Sequence, residues 1–369
     1  MFTAHLAQEL AKQHEVTVLT SRGLGTPPDS VENGVRVVRV PVFLRKQQAT
    51  ASLVSMLSFI LVGIRKGKKL LENEKFDIIN THFALPTGPV GDALARFAGI
   101  PNVLLVLGGD IYDPSKFTSP HRHPLLKAWV KRLLRRADLT VGESSDILEK
   151  MRQHYTPEIK GVLLPCGIQR PEFTPVPRAN FGFSEDDILL VTVGRLVRRK
   201  AVDQLIAMVE SLKNNRVRLV VIGSGPLEQS LKEECRKRGV ADQVRFTGFV
   251  SEEEKFQLLQ MSNIYVSTSQ HEGFGLVFLE AMHCGLPIVC YDQGGQTDFL
   301  RDGETGYLVP LNNQDLFRDR CKRLIENAEL CQVMGEYNKP LVEEFYIGKC
   351  AVKYETIFAH AVKAWAAVK

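Results

Sequence analysis

Short runs of β-branched and aliphatic residues recur along this chain. Between them lie stretches whose apolar positions return every three or four residues. In the first half, residues 16–20, 35–40, 76–81, 102–107, 139–142 and 162–165 predict strands, and 53–71, 89–97 and 125–136 predict helices. Strands are expected again at 188–194, 218–223, 244–248, 263–269, 287–291 and 306–309, with helices between them and a helical run closing the chain. Residues 165–177 hold four prolines in thirteen positions. Proline lacks a backbone donor and disfavours helix before it, so this stretch marks a boundary. Repeated β-α units predict parallel sheets with helices on both faces. The expected fold class is α/β, with two doubly wound Rossmann-like domains facing each other across a cleft. The first domain is expected at 1–168, a Pro-rich linker at 169–186, the second domain at 187–345 and a closing helix at 346–369.

The start of the pattern is unusual. A doubly wound domain ordinarily opens with a strand and a Gly-rich turn, but here the first pattern is helical, at 5–12, and a strand follows from Val16. The first strand of such a sheet lies centrally, so its absence leaves neighbouring strands unpaired. A truncated chain and a strand supplied by a partner are the two alternatives.

Composition narrows the class. The 369 residues are 44% hydrophobic and 24% charged, ordinary for a globular protein and enough for two cores. Seven cysteines without a C-x-x-C pair suggest free thiols in a reducing compartment. No apolar run reaches the length of a membrane span; the longest, 51–64, is short and holds Ser52, Ser55 and Ser58. No basic-then-apolar leader opens the chain. A cytoplasmic location is expected. The net charge of +5 is mild but uneven: residues 122–136 carry six cations and no acid. The helix at 125–136 is expected either to pack on the core with a solvated basic face or to rest on anionic lipid headgroups with Trp129 near the interface. The apolar segment at 51–64 adds weight to contact with a lipid-linked acceptor. No aromatic-rich sheet or zinc-type module accompanies the cations, so nucleic acid is not an expected partner.

The strongest chemical signal is Glu272-Gly-Phe-Gly-Leu-Val-Phe-Leu-Glu280, set between a strand and a helix. Unpaired N–H groups and the positive end of the helix dipole favour an anion there. Two carboxylates beside an anion site make sense if they face hydroxyls flanking a diphosphate, the pattern of a nucleotide-sugar. Two solvated glutamates are the alternative. Arg195 and Lys200 follow the strand that ends at Gly194, and such cations neutralise a diphosphate; a solvated basic loop containing Arg198 and Arg199 is the other reading. Gly223-Ser-Gly225 lacks the third glycine of a dinucleotide fingerprint and reads as a tight turn bordering a nucleotide pocket. Phe249 and Val250 end another strand, and Gly294-Gly295 permits close backbone approach. In the first domain His82 and Asp110 end strands as acceptor-side candidates. A satisfied buried histidine and a turn-shaping carboxylate are their plainer roles.

These residues together resemble the family-4 retaining glycosyltransferases (glycosyl transferases group 1), which have the GT-B architecture, over nearly the whole chain. The most specific parts are Glu272-Gly-Phe-Gly with Glu280, the segment from Gly194 and Arg195 to Lys200, and Gly303-Glu-Thr-Gly-Tyr-Leu-Val-Pro310. The resemblance implies transfer of a hexose from a nucleotide diphosphate sugar to a glycan or lipid-linked acceptor, with no cofactor and no metal. It implies that Arg195 and Lys200 hold the donor diphosphate, Glu280 the ribose hydroxyls and Glu272 the transferred sugar. Backbone N–H groups of Phe274, Gly275 and Leu276 would face sugar and phosphate, and the closing helix would pack back on the first domain. Three positions depart from the family pattern: the first Gly-rich loop is absent, Leu107 stands where a histidine is common, and Ala201 where a glycine is frequent. A nucleotide-sugar-binding protein without turnover, and a GT-B epimerase or phosphorylase, are the alternatives.

Overall fold

The computed structural model describes residues 2–44, 52–159 and 161–368. The chain divides into two compact units, Met1–Gly167 with Ile347–Lys369, and Ile168–Tyr346.

The first unit opens with α1 (Phe2–Leu10). Strands β1 (Thr17–Ser21), β2 (Asp29–Glu32) and β3 (Val35–Val40) follow and form a sheet in the order β1-β3-β2. The polar β2 was not expected from the pattern. It lies antiparallel to β3 at an edge, where Arg39 meets Ser30 and Glu32. Helix α2 (Leu53–Asn73) starts at Ser52, whose hydroxyl accepts from the Ser55 N–H. The apolar segment was expected from Ala51, which lies outside the described residues. A four-stranded parallel sheet comes next, from β4 (Ile79–His82), α3 (Gly88–Ala98), β5 (Asn102–Val106), α4 (Pro124–Arg136), β6 (Leu139–Gly142), α5 (Ser145–His154) and β7 (Gly161–Leu163), in the order β4-β5-β6-β7. Helix α5 escaped the pattern because only Ile147, Leu148 and Met151 mark its inner face; Ser144 caps it.

The first unit therefore holds two sheets where one was expected. Among the described residues β1 is bonded only to β3, and β4 only to β5. The two edges share one core, since Leu19 of β1 and Ile79 of β4 pack in the cluster built on Phe59, Val90 and Leu94. The two sheets share that core with no ladder between them among the described residues.

The second unit is one parallel sheet of six strands. In chain order these elements are β8 (Ile188–Val193), α6 (Val202–Leu212), β9 (Val217–Ile222), α7 (Glu228–Lys237), β10 (Val244–Gly248), α8 (Glu252–Gln260), β11 (Ile264–Ser267), α9 (Leu276–His283), β12 (Ile288–Tyr291) and β13 (Gly306–Val309). Helices α10 (Gln314–Ile325) and α11 (Ala328–Val342) end the unit. The strand order is β10-β9-β8-β11-β12-β13, and β11 and β12 are buried along their whole length, as a sheet covered on both faces requires. The order reverses between β8 and β11, which makes their C-terminal ends the switch point where α/β sheets bind ligands.

The Pro-rich stretch is not a free tether. Ile168 bridges to Tyr346, and the Arg178 guanidinium donates to the carbonyls of Met261 at 2.7 Å and Asp187 at 2.8 Å. Residues 169–186 are laid down on the second unit, because a chain poor in backbone donors still offers side chains that satisfy another element's carbonyls. Helix α12 (Ile347–Val368) belongs to the first unit, where the Trp365 indole donates to the Gly99 carbonyl at 3.1 Å.

Candidate active site

Loops after β8, β9 and β10 meet backbone to backbone. Gly194 N–H donates to the Ile222 carbonyl, and Gly223 N–H to the Gly248 carbonyl, both at 2.9 Å. A Cβ on Gly223 would stand 2.1 Å from the Gly194 oxygen, and one on Gly225 2.4 Å from the Leu196 oxygen. The Gly-Ser-Gly turn is thus explained by close approach of two strand ends. The same packing places Gly194, Gly223, Phe249 and Val250 in neighbouring loops, with the Phe249 ring 87% exposed.

After Gly194 the chain makes a single 3₁₀ turn, Arg198–Lys200, and enters α6 through Ala201 at φ 44°. A left-handed alanine costs about 1 kcal/mol, which explains physically why glycine suits this position. The Thr268 hydroxyl, just past β11, pins the turn by donating to the Ala201 carbonyl at 2.8 Å. Its cations point at Glu272. Lys200 Nζ and Arg199 Nη1 donate to separate oxygens of the Glu272 carboxylate, the latter at 2.9 Å, and Arg199 also reaches the His271 carbonyl. Burial alone would raise the Glu272 pKa; Lys200 and Arg199 outweigh it and hold the carboxyl at about 2. Arg199, which the sequence named only in the alternative of a solvated basic loop, packs on Glu272 beside Lys200, while Arg198 is exposed. Arg195 is exposed; its carbonyl accepts from the Val197 N–H at 2.9 Å, and its guanidinium has no hydrogen-bond or ion-pair partner among the described residues.

Glu272 is fixed by its own backbone as well. Its carbonyl accepts from Gly295 N–H at 2.9 Å, and a Cβ on Gly294 would lie 2.4 Å from that oxygen. Beside it, Gln296 donates to the carbonyls of Tyr291 and Gln293, so its Oε1 is turned away from both. That oxygen is buried with no hydrogen-bond partner among the described residues, a feature the sequence did not signal.

Gly275, at φ 92°, leads into α9, whose first N–H groups have no acceptor four residues back. The Phe274 ring is buried against Phe299 and Phe345, so only its backbone is available to a ligand, as it is at Gly275 and Leu276. Glu280, one turn further, is buried and accepts from Lys255 Nζ of α8 at 2.8 Å; Lys255 also meets Glu252 at 2.9 Å. Burial pushes the Glu280 carboxyl up, with Lys255 opposing. Sequence spacing presents Lys255 as a surface partner of Glu252 and gives no sign that it reaches α9.

In the first unit His82 and Asp110 both have polar partners within the fold. His82 lies within 3.1 Å of the Thr3 hydroxyl and 2.9 Å of the Asn80 amide, and burial lowers its pKa to about 4. Asp110 accepts from the N–H groups of Ala84 and Leu107, tying two loops together. Burial raises its pKa to about 6 in spite of those bonds. On α4, Trp129 is half-buried and packs against the core cluster of Val130, Leu133 and Leu134. Among the described residues no group of three His, Cys, Asp or Glu side chains converges as a metal site.

Comparison with known proteins identifies this arrangement. Residues 175–340 match the model for glycosyl transferases group 1, and residues 1–167 match the glycosyl transferase 4-like domain. A glycosyltransferase of Methanocaldococcus jannaschii, MJ1607, is 30% identical over 328 residues, 84% of this chain and 80% of its own. The chain belongs to the group 1 glycosyltransferases. The solved sucrose-phosphate synthase of Thermosynechococcus elongatus superposes with a TM-score of 0.86 at 20% identity, over 98% of this chain and 93% of its own. HepE of Anabaena, solved with UDP and glucose, gives 0.78 at 17% identity over 97% and 95%. The transferase thus has the GT-B fold expected from its motifs. Its buried Glu272 and Glu280, each held by a separate lysine, stand beside the switch point of the second sheet.

Proposed function

We propose that this glycosyltransferase moves a hexose from a nucleoside diphosphate sugar to a glycan or lipid-linked acceptor, with retention at the anomeric carbon and without a metal. The observation that carries the reading is the Lys200–Glu272–Arg199 cluster at the switch point, next to the open N-terminus of α9. A departing diphosphate needs positive partners already in position, and fixed cations in a buried setting supply them without reorganisation. Lys200 and the helix end serve that charge, and Arg195, on the same loop, joins them. Glu272 orients the sugar and steadies the positive charge that develops on its ring. Glu280 takes the ribose hydroxyls.

The step needs no protein nucleophile. The bond from the anomeric carbon to the diphosphate oxygen breaks while the acceptor oxygen closes on the same face, and the acceptor's proton leaves on the diphosphate. Support for the donor class comes from HepE, solved with UDP and glucose. Contact with an anionic membrane fits a lipid-linked acceptor.

Thermal-shift measurements against UDP-, GDP- and ADP-hexoses, followed by turnover assays, test the reading. One donor should stabilise the protein, and Lys200→Ala should lower kcat by roughly 100-fold or more with the fold retained. No shift with any donor, or undiminished turnover in Lys200→Ala, would overturn it.

A further inference from the structure

We propose that Arg199 is a positioning residue that holds Glu272 in place as a carboxylate while the donor diphosphate draws on Lys200. The inference rests on the donor reading above and deepens it. Two cations serve one carboxylate: Lys200 Nζ donates to Oε1 of Glu272, and Arg199 Nη1 donates to Oε2 at 2.9 Å. One cation balances that charge in the free protein. The second matters most when the first is shared with another anion.

The two cations are held differently. The Arg199 carbonyl accepts from the Gln270 N–H at 2.8 Å, and its Nη1 also donates to the His271 carbonyl and lies 3.5 Å from the Ser269 hydroxyl. Ser269 and His271 are buried, so backbone and side chain both clamp Arg199 to a fixed wall. Among the described residues the Lys200 ammonium bonds to Glu272 alone, and its stem passes Gly194, where a Cβ would stand 3.0 Å from Cε. An ammonium has three donors on a flexible stem, so Lys200 can turn two of them to an incoming diphosphate. Arg199 stays where it is.

Electrostatics gives this difference a consequence. Burial would raise the Glu272 carboxyl; Lys200 lowers it most and Arg199 next. A diphosphate beside Lys200 offsets the larger of those two influences, and Arg199 is the cation that remains. Without it burial wins, and Glu272 takes up a proton as the donor binds. A protonated Glu272 cannot steady positive charge on the sugar ring. The other titratable neighbours do not replace Arg199. Burial first, and the Glu272 charge next, push the Tyr265 hydroxyl up; burial, Asp292 and Glu272 do the same to the Cys290 thiol, so both groups are neutral. His271 meets the cluster through its carbonyl, and Arg195 and Arg198 are exposed.

The test compares the full-length wild type with Arg199→Gln and Arg199→Lys in two measurements. Calorimetric titration with UDP, GDP and ADP near pH 5, in buffers of different ionisation enthalpy, counts the protons taken up on binding. Arg199→Gln should take up more than the wild type, by up to about one proton, and adding Glu272→Gln to that variant should abolish the excess. In turnover with the hexose donor of the diphosphate that binds, Arg199→Gln should lower kcat by about tenfold or more with donor KM little changed. The acid limb of its kcat profile should move up by about 1–3 pH units, and Arg199→Lys, which restores the charge, should bring it back. A purely structural brace would lower kcat and leave the limb in place. Equal proton counts with an unshifted limb would overturn the inference and leave the donor reading standing. Failure to bind any of the three diphosphates would overturn both.

Discussion

Glu272 shows how one buried carboxylate serves both fold and site. Its pKa of about 2, against 4.5 for the free group, means the folded protein prefers the ionised form. A depressed carboxyl contributes stability above its unfolded pKa and loses it as pH falls. The contribution of Glu272 is therefore complete above about pH 4.5 and disappears toward pH 2. The displacement corresponds to about 3 kcal/mol. Glu272→Gln, which keeps the shape and removes the charge, should be less stable than the wild type at neutral pH by an amount of that order. The gap should close between about pH 4.5 and pH 2 in denaturant unfolding, and a gap independent of pH would show that the cluster does not hold the carboxylate ionised. Asp110 works in the opposite sense: with its pKa raised to about 6, whatever it contributes is present at low pH and declines as pH rises through 6.

At the scale of elements, α8 and α9 are joined through Lys255 and Glu280, two charged side chains that are only 8% and 10% exposed. Removing one partner of a buried pair leaves the other charge uncompensated, at a cost of about 3–5 kcal/mol. Lys255→Met should destabilise the second unit by about that amount and weaken donor binding, because an unpaired Glu280 takes up a proton and loses its power to accept from hydroxyls. The double variant Lys255→Met with Glu280→Gln should recover most of the stability but not the donor affinity. A double variant that loses as much stability as the two single variants added together would show that the two residues act independently. This pair also marks the limit of what the sequence discloses. Strand ends were legible because buried parallel strands read as apolar runs, and the Gly-Phe-Gly turn and both glutamates follow from position alone. Lys255 and Arg199 were not legible, since their partners depend on which loops and helices become neighbours across the sheet. Helix α5 and strand β2 were missed for a local reason: each has few apolar residues to carry a period.

For the molecule as a whole, the open edges of the first unit have the largest consequence. β1 and β4 each lack a partner on one side among the described residues, yet Leu19 and Ile79 hold them in a shared core. Backbone groups on such edges are satisfied by water at best, and an internal edge is poorly placed for that. The N-terminal end of α1 lies at the C-terminal end of β4, where Thr3 meets His82. An extended segment joined ahead of α1 and running parallel to both edges would therefore enter the space between them. Each ladder bond it forms is worth about 1 kcal/mol net, and each kcal/mol raises the melting midpoint of a unit this size by about 2–4 °C. A valine- and isoleucine-rich extension of strand length, fused before residue 2, should raise the midpoint by several degrees and slow amide exchange in both β1 and β4. A glycine-serine extension of equal length should do neither, because it pays the same entropy without packing against Leu19 and Ile79. Protection of only one of the two strands would mean that the extension adds to a sheet edge without joining the two sheets. Equal behaviour of the two extensions would mean that no strand-shaped space is there to fill.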